Sequence, residues 1–553
     1  MASFDYSKAK DMGRFTIKTP FLRVLINIVI TLIFGFVYFY VKLPAINLQD
    51  SEFYFFIGTL AVVYMALSLV TSGIKLEGGL SEYGSFVKKQ CKIPAIVLVL
   101  AVIITVFGGI TSWEVIRAGA YRDLITVENG DFATDVKEIS YNKIPMLDSE
   151  SAKRLGDRKL GELSDMVSQF EVADNYTQIN FKNRPVRVTP LEYGDLIKWF
   201  NNRGAGLPAY LVIDMVTQEV DVVRLTDGIK YSPSEHFGRK LERHLRFNYP
   251  TFMFAEANFE IDEEGKPYWV CPRIVKKIGL FGGVDINGAV LVDAITGECE
   301  YFEEVPTWVD HVYNASLIMQ QYDYHGTYIN GFLNSIFGQK NVTVTTTGYN
   351  YIALNDDVYV YTGITSAGSD QSNVGFILCN QRTKDTKYYT VAGATEYSAM
   401  SSAEGVVQHL GYRATFPLLL NVSTKPTYFV ALKDNAQLVK MYAMVNVEQY
   451  QVVATGASLA ECEKNYIKLL AQNNITQEVT PIEDGVSGKI VEIRDAVIEG
   501  NTVYYLKLEG SENYYAISAS DDQRAVTLNV GDVVEITYDT ESDGKIKKVL
   551  SMK

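Results

Sequence analysis

The chain has 553 residues, 47% of them hydrophobic, with 51 Lys and Arg against 65 Asp and Glu and a formal net charge of −14. This composition excludes wholesale disorder and collagen-like repeats, and the acidic balance disfavours nucleic acid, whose phosphates need a basic surface. Five Cys without a CxxC pair exclude zinc ribbons, iron–sulfur clusters and a disulfide scaffold.

Three uncharged apolar runs occupy the N-terminal fifth: Val24 to Val41, Phe53 to Ile74 and Ile93 to Ile110. Each is near the ~20 residues a helix needs to cross a bilayer. The first is too late, and too soon followed by others, to be a cleaved signal peptide. Lys8, Lys10, Arg14, Lys18 and Arg23 precede the first run, and Lys75, Lys88, Lys89 and Lys92 lie between the second and third. The loop from Leu43 to Ser51 has neither Lys nor Arg. Basic flanks stay cytoplasmic, so residues 1–20 read as a cytoplasmic arm, 21–111 as a membrane domain, and everything after about 112 as extracytoplasmic. Charge divides accordingly: 10 basic and 6 acidic residues up to position 111 (+4), then 41 and 59 (−18). Asn27 and a few hydroxyls are the polar groups at membrane depth, which points to an anchor rather than a transport path.

Past a membrane-proximal segment, 112–188, a turn pattern recurs. A strand reaches Asp or Asn and a Thr follows three positions later: Asp214 and Thr217, Asp293 and Thr296, Asn380 and Thr383. A degenerate copy is Asn446-Val-Glu-Gln449. Asp and Asn bond the backbone ahead of them and start hairpins. Capping boxes are expected at Thr189–Glu192, Ser232–Glu235, Thr307–Asp310, Ser401–Glu404 and Ser458–Glu461. The repeating element is therefore a helix followed by strands ending in the hairpin, grouped as pairs over 189–303 and 304–472. In the second copy the helix is expected over Ser232 to Leu245, then a strand near Phe252–Ile261, a turn at Asp262-Glu-Glu-Gly265 and further strands from Pro267 and Gly288.

Gly265-Lys-Pro-Tyr-Trp-Val270 and Val292-Asp-Ala-Ile-Thr-Gly-Glu298 make this copy resemble the PepSY domain, a helix-plus-antiparallel-sheet module with a cystatin-like look. The resemblance covers about 70 residues and implies binding or inhibition of extracytoplasmic peptidases. It carries no catalytic residues, and a turn signature speaks to fold more than to function.

Residues 473–485 read as a linker. Five strand-like runs follow over 486–553: Gly488–Val497, Asn501–Leu508, Tyr514–Ser518, Val526–Tyr538 and Lys545–Ser551. They suggest an OB-like barrel, but 8 basic against 12 acidic residues argue against single-stranded nucleic acid.

Catalytic signatures are absent. His236 and His244 share a helix face two turns apart without HExxH spacing, and His311 reads as structural. Ser72–Lys75 and Ser140–Lys143 satisfy SxxK without companion motifs. Asp262–Gly265 lacks the calcium-loop pattern. Cys271 and Cys299 are placed to pair across a sheet, although buried free thiols are the simpler reading.

Two features suggest binding. The chain has 36 Tyr, with pairs such as Tyr322 and Tyr324, and Tyr388 and Tyr389; Tyr suits interfaces, though also strands. Arg243, Arg246 and Tyr249 form a basic spot at a helix end in an acidic body, where helix-dipole compensation is the plain alternative.

The sequence thus predicts an α+β protein: three N-terminal transmembrane helices, tandem helix-plus-antiparallel-sheet repeats and a small C-terminal β-barrel. The expected function is a non-enzymatic membrane-anchored scaffold or assembly protein of a bacterial surface, binding lipid through its helices and a protein partner or itself through its repeats. The alternative is a PepSY-type binder or inhibitor of a peptidase or wall hydrolase. No cofactor, metal, nucleic acid or small-molecule substrate is expected.

Overall fold

The computed structural model describes residues 19–72, 88–138, 144–354, 356–367, 372–476, 483–498, 501–539 and 545–552. The basic arm before residue 19, most of the Lys75–Lys92 loop, Ser140–Lys143 and residues 477–482 of the expected linker lie outside the described residues. The chain divides into two compact parts, Met1–Gln451 and Val452–Lys553.

The first part begins with α1 (Pro20–Lys42), α2 (Ser51–Ser72) and α3 (Lys92–Thr111), each long and apolar enough to cross a membrane. Pro20 sits at the first helical position, where its missing N–H costs nothing. Small residues, Gly35, Gly58, Ala61 and Ala101, are buried between the helices, while Phe21, Leu32, Phe36, Phe55, Val99 and Phe107 face outward. Asn27 is 1% exposed, and its amide donates to Ser68 Oγ and Thr71 Oγ1, both at 3.1 Å. The single amide of the first span is thus an interhelical tie. After α3 come a short helix, α4 (Glu114–Arg122), and strand β1 (Val127–Asn129).

Four copies of one repeat follow. The first has α5 (Ser149–Gly161), β2 (Phe170–Val172), β3 (Thr177–Phe181), β4 (Arg184–Tyr193), an inserted α6 (Leu196–Asn202), β5 (Leu207–Asp214) and β6 (Val220–Ile229). The second has α7 (Leu241–Asn248), β7 (Met253–Phe254), β8 (Asn258–Ile261), β9 (Pro267–Ile278), β10 (Gly282–Asp293) and β11 (Cys299–Phe302). The third has α8 (Ala315–Thr327), β12 (Thr343–Thr345), β13 (Asn350–Leu354), β14 (Asp357–Ser366), β15 (Ser372–Asn380) and β16 (Thr386–Ala394). The fourth has α9 (Glu396–Val406), β17 (Arg413–Ala414), β18 (Leu418–Val422), β19 (Lys425–Lys433) and β20 (Val439–Asn446).

The same pairing recurs each time. Two short strands lie in tandem along one long strand, as β7 and β8 do along β9, and an antiparallel meander continues from its other edge. β1 adds to the third sheet in parallel, with Val127 opposite Thr386. The first two repeats share a core in which Val188, Leu211, Phe259, Trp269, Val290 and Val292 are at most 2% exposed. Burying a ring such as Phe259 contributes on the order of 2–3 kcal/mol.

The recurring Asp/Asn does what its position implies. Asp214 Oδ1 accepts the N–H groups of Val216 and Thr217, Asp293 Oδ1 those of Ile295 and Thr296, and Asn380 Oδ1 those of Arg382 and Thr383, all within 2.8–3.1 Å. The next residue takes a left-handed backbone: Gln218, Gly297 and Lys384 have φ of 62°, 79° and 69°. In the fourth copy Asn446 Oδ1 accepts from Gln449 N.

Four of the five expected capping boxes are corrected. Ser458 does cap α10 (Leu459–Gln472), accepting from Glu461 N. Thr189 and Glu192 lie inside β4, so the first repeat starts earlier than position 189. Ser401 and Glu404 lie within α9, which Thr395 caps. The second helix starts at Leu241 instead of Ser232, because Glu235 turns inward, taking Tyr193 Oη at 2.7 Å and Trp199 Nε1 at 2.8 Å. The third starts at Ala315, capped by Asn314, because Asp310 is buried in a junction described below.

The second part holds β21 (Val453–Gly456), α10 and five further strands: β22 (Glu483–Ile498), β23 (Asn501–Leu508), β24 (Tyr514–Ser518), β25 (Val533–Asp539) and β26 (Ile546–Met552). β22 pairs with β23 along one half and β25 along the other, closing the five strands in the order β22-β23-β24-β26-β25 around Ile490, Leu506, Tyr515 and Ile536. The expected strand from Val526 begins at Val533, after a turn over Gln523–Thr527.

Candidate functional site

The basic spot at the end of α7 is a clamp on the chain's own first helix. A helix C-terminus leaves carbonyls without intrahelical partners and carries partial negative charge. Arg243 Nε donates to Tyr40 O at 3.1 Å with its guanidinium 4.0 Å from the centre of the Tyr40 ring, and Arg246 Nε donates to Leu43 O at 2.9 Å. Arg246 also donates to Phe252 O and is buried, which lowers its pKa, while Asp50 and Glu52 pull the other way. The α1–α2 loop is stitched alongside: Ile46 N to Pro250 O at 2.8 Å, Asn47 Nδ2 to Thr251 O at 2.9 Å and Gln49 Nε2 to Lys276 O at 3.0 Å.

The turn between β9 and β10 grips the end of α3. Phe281 N donates to Ser112 Oγ at 2.9 Å, and the Phe281 ring stands edge-on to Tyr54, 5.9 Å away. Gly279 is required twice: its φ is 58°, and a Cβ there would meet Ser112 Oγ at 2.6 Å and the Thr111 carbonyl at 2.7 Å. Tyr121 of α4 donates to Ser112 O at 2.6 Å and packs on Tyr324 of α8, ring centres 4.7 Å apart. Beside the clamp a cleft of about 670 Å³ opens, with Lys42, Glu192, Lys240, Glu242 and Glu256 on its walls.

The seven residues singled out from sequence are therefore internal contacts. Tyr249 is half-buried, stacked on Phe252 and bonded to Cys299 O. Tyr322 lies in the core of the third repeat. Tyr324 is half-buried between Tyr121 and Tyr328. Tyr388 donates to Val374 O, and Tyr389 is buried against Phe132. Their rings fill cores because Tyr suits both strand faces and interiors with a backbone acceptor in reach.

A second cluster joins residues that the sequence offers only as a helix-capping acid, Asp310, and a structural histidine, His311. Where the first three repeats meet, Glu260 of β8 is 0% and Asp310 2% exposed. Glu260 accepts Asp310 N at 2.8 Å and His311 N at 2.9 Å; Asp310 Oδ2 accepts Asn180 N at 2.7 Å, and its Oδ1 has no partner among the described residues. Burial pushes the Glu260 carboxyl up to about 7, with the two N–H groups pulling back. Burial, then the neighbouring Glu260, raises Asp310 well above the usual carboxylate range. His311, bonded to Gln178 O, is pushed down to about 4 by burial, so it is neutral at pH 7.

The remaining candidates resolve simply. His236 precedes α7 and packs on Trp199, while His244 lies within α7 and reaches Gly297 O at 2.7 Å, so the two do not share a helix face. Asp262–Gly265 is a hairpin turn, with Asp262 Oδ1 accepting Glu264 N and Lys266 N. Cys271 and Cys299 are free thiols flanking β10, opposite Val290 and Val292. Lys75 of the first SxxK pair and both residues of the second lie outside the described residues. Among the described residues no three His, Cys, Asp or Glu side chains gather as a metal site. In comparison with known proteins, no family model matches the chain and no curated protein matches it.

Proposed function

We propose that this chain is a non-enzymatic, membrane-anchored scaffold whose repeats hold a protein partner or further copies of the chain. The repeats are read as PepSY-like and the C-terminal ring as OB-like, with the body on the extracytoplasmic side. The observation that supports the reading is the clamp: repeats of one design are fastened to two separate helix exits, through Arg243 and Arg246 on α1 and the Gly279 turn on α3. A body that only needed tethering would require one linker, whereas a presented surface must be held at a set attitude. Stacked repeats offer extended surfaces of that kind.

The test is the mass of the detergent-solubilised full chain, with cross-linking in native membranes. A closed oligomer, or a stoichiometric protein partner cross-linked to the repeats, supports the scaffold. A monomer that captures one peptidase and blocks its turnover favours the inhibitor reading instead. A monomer cross-linked to nothing overturns both. Protease added to intact protoplasts is expected to cut within residues 112–553; protection of the body would reverse the orientation.

A further inference from the structure

A cavity of about 430 Å³ lies where the segment Pro145–Ser149, β4, and the third and fourth repeats meet. Arg187 of β4 lines it and is 7% exposed. Its Nη1 donates to Tyr176 O at 3.2 Å and its Nη2 to Gln178 Oε1 at 3.4 Å, both long and both to uncharged acceptors. Its Nε has no partner among the described residues. The carboxylate on the same wall, Asp148, is already committed: one oxygen caps Ser151 N and the other pairs with the buried Lys433 ammonium. Asp148 attracts Arg187 across the cavity, but with both oxygens spent, no carboxylate among the described residues bonds the guanidinium. The contrast with Arg246 is instructive, since that guanidinium meets the carbonyls of Leu43, Tyr249, Pro250 and Phe252.

A buried cation without a counter-ion is costly, by several kcal/mol in general, and a guanidinium cannot shed its charge near neutral pH. The cavity supplies room for a bonded anion, at a volume within the ~300–1,000 Å³ range of small-molecule sites. Four rings, Tyr349, Tyr351, Phe416 and Phe429, stand in the other walls beside aliphatic side chains such as Met215 and Leu418. One positive charge matches a monoanion better than a phosphate dianion, and rings match an organic group better than a hydrated inorganic ion.

We propose that this cavity binds a small organic carboxylate, with Arg187 as its ion-pair partner and the aromatic walls around its apolar part. This goes beyond the scaffold reading and does not depend on it. Such a carboxylate has two sources, a free organic acid or the C-terminus of a peptide. The probes are sodium benzoate, neutral benzamide, and an acetylated Phe-terminated tripeptide as free acid and as amide. Each is added at constant ionic strength to the detergent-solubilised full chain and followed by calorimetric titration and thermal melting. Benzoate is expected to bind and raise the melting temperature, and benzamide to do neither. Binding by the tripeptide acid but not by benzoate supports the site and assigns it to peptide termini. Arg187→Met is expected to weaken binding at least about tenfold, the loss of a charged hydrogen bond, while melting without ligand at or above the wild-type temperature. If no acid binds, if acid and amide bind alike, or if Arg187→Met binds as well as wild type, the proposal fails. The acid–amide comparison on wild type decides the matter even if the variant folds poorly.

Discussion

The second and third repeats build the same hairpin with opposite chemistry. In the second, Asp293 holds the turn with Oδ1 and pairs Oδ2 with Lys266 Nζ at 2.6 Å. In the third, Asn380 holds the turn with its oxygen and donates Nδ2 to Asp357 Oδ2 at 2.9 Å, while Arg382 forks onto Asp357 at 2.7 and 2.8 Å. The acid has moved from the turn to the first residue of the neighbouring strand, and the cation from just before that strand to the turn. What persists is one oxygen accepting the N–H groups two and three residues on. Charge is arranged around that oxygen, so the repeat is defined by backbone geometry rather than by a charge pattern.

Exchanging the two solutions should break the weaker copy. Asn380→Asp puts a buried carboxylate oxygen against Asp357, and uncompensated buried charge costs about 3 kcal/mol. The solubilised chain should melt several degrees lower, with recovery at low pH as the new acid takes up a proton. An unchanged melt would mean that Arg382 serves both acids.

The junction between the same repeats is the next largest effect. Glu260 and Asp310 titrate above their unfolded values, near 4, whereas His311 titrates below its unfolded value, near 6.5. Through the weakly acidic range the raised Glu260 and Asp310 hold protons that the unfolded chain releases, while His311 lacks one that the unfolded chain takes up. Two acids shifted up outweigh one histidine shifted down, so this cluster loses stability as pH rises through that range. Asp310→Asn removes one retained proton, sets its amide nitrogen where Oδ1 stands unpartnered, and keeps an oxygen for Asn180 N. Melting temperatures across that range should therefore fall less steeply with pH in the variant than in wild type. Parallel curves would mean that the acids are ionised in the fold.

The smallest effect belongs to the sturdier copy. Asp293→Asn keeps the turn oxygen and strands only Lys266, a lysine already 44% exposed at its side chain. Surface ion pairs contribute about 1 kcal/mol or less. Hydrogen exchange at Ile295 and Thr296 should be nearly unchanged, and Asp293→Ala, which removes the acceptor as well, should speed it by at least tenfold. Equal exchange in both variants would mean that the strand pairing, not the side chain, holds the turn.

Local signals were legible in the sequence and encounters between repeats were not. The three spans show as uncharged runs, and the hairpins as Asp or Asn with Thr three places on, because both are written in adjacent residues. The capping boxes misled at Glu235 and Asp310, where a three-residue spacing also occurs by chance. Each side chain answers to a partner 40 or more positions away: Tyr193 for Glu235, Asn180 and Glu260 for Asp310. Arg246 was noticed for its charge, but its partner, the open end of α1, lies some 200 residues earlier. Arg187 falls in the stretch read as a membrane-proximal segment just before an expected helix cap, and only the fold shows it buried in β4 with no described carboxylate bonded to it.

The double fastening of the second repeat has a mechanical consequence. A mast stepped at one point swings freely; one stepped at two points turns with the deck. When bilayer thickness changes, helices tilt to keep their apolar length covered. The exits of α1 and α3 then shift relative to each other, and the β9–β10 hairpin and α7, which hold one exit each, must follow. Any such shift reaches the second repeat through two fixed points instead of being absorbed in a linker.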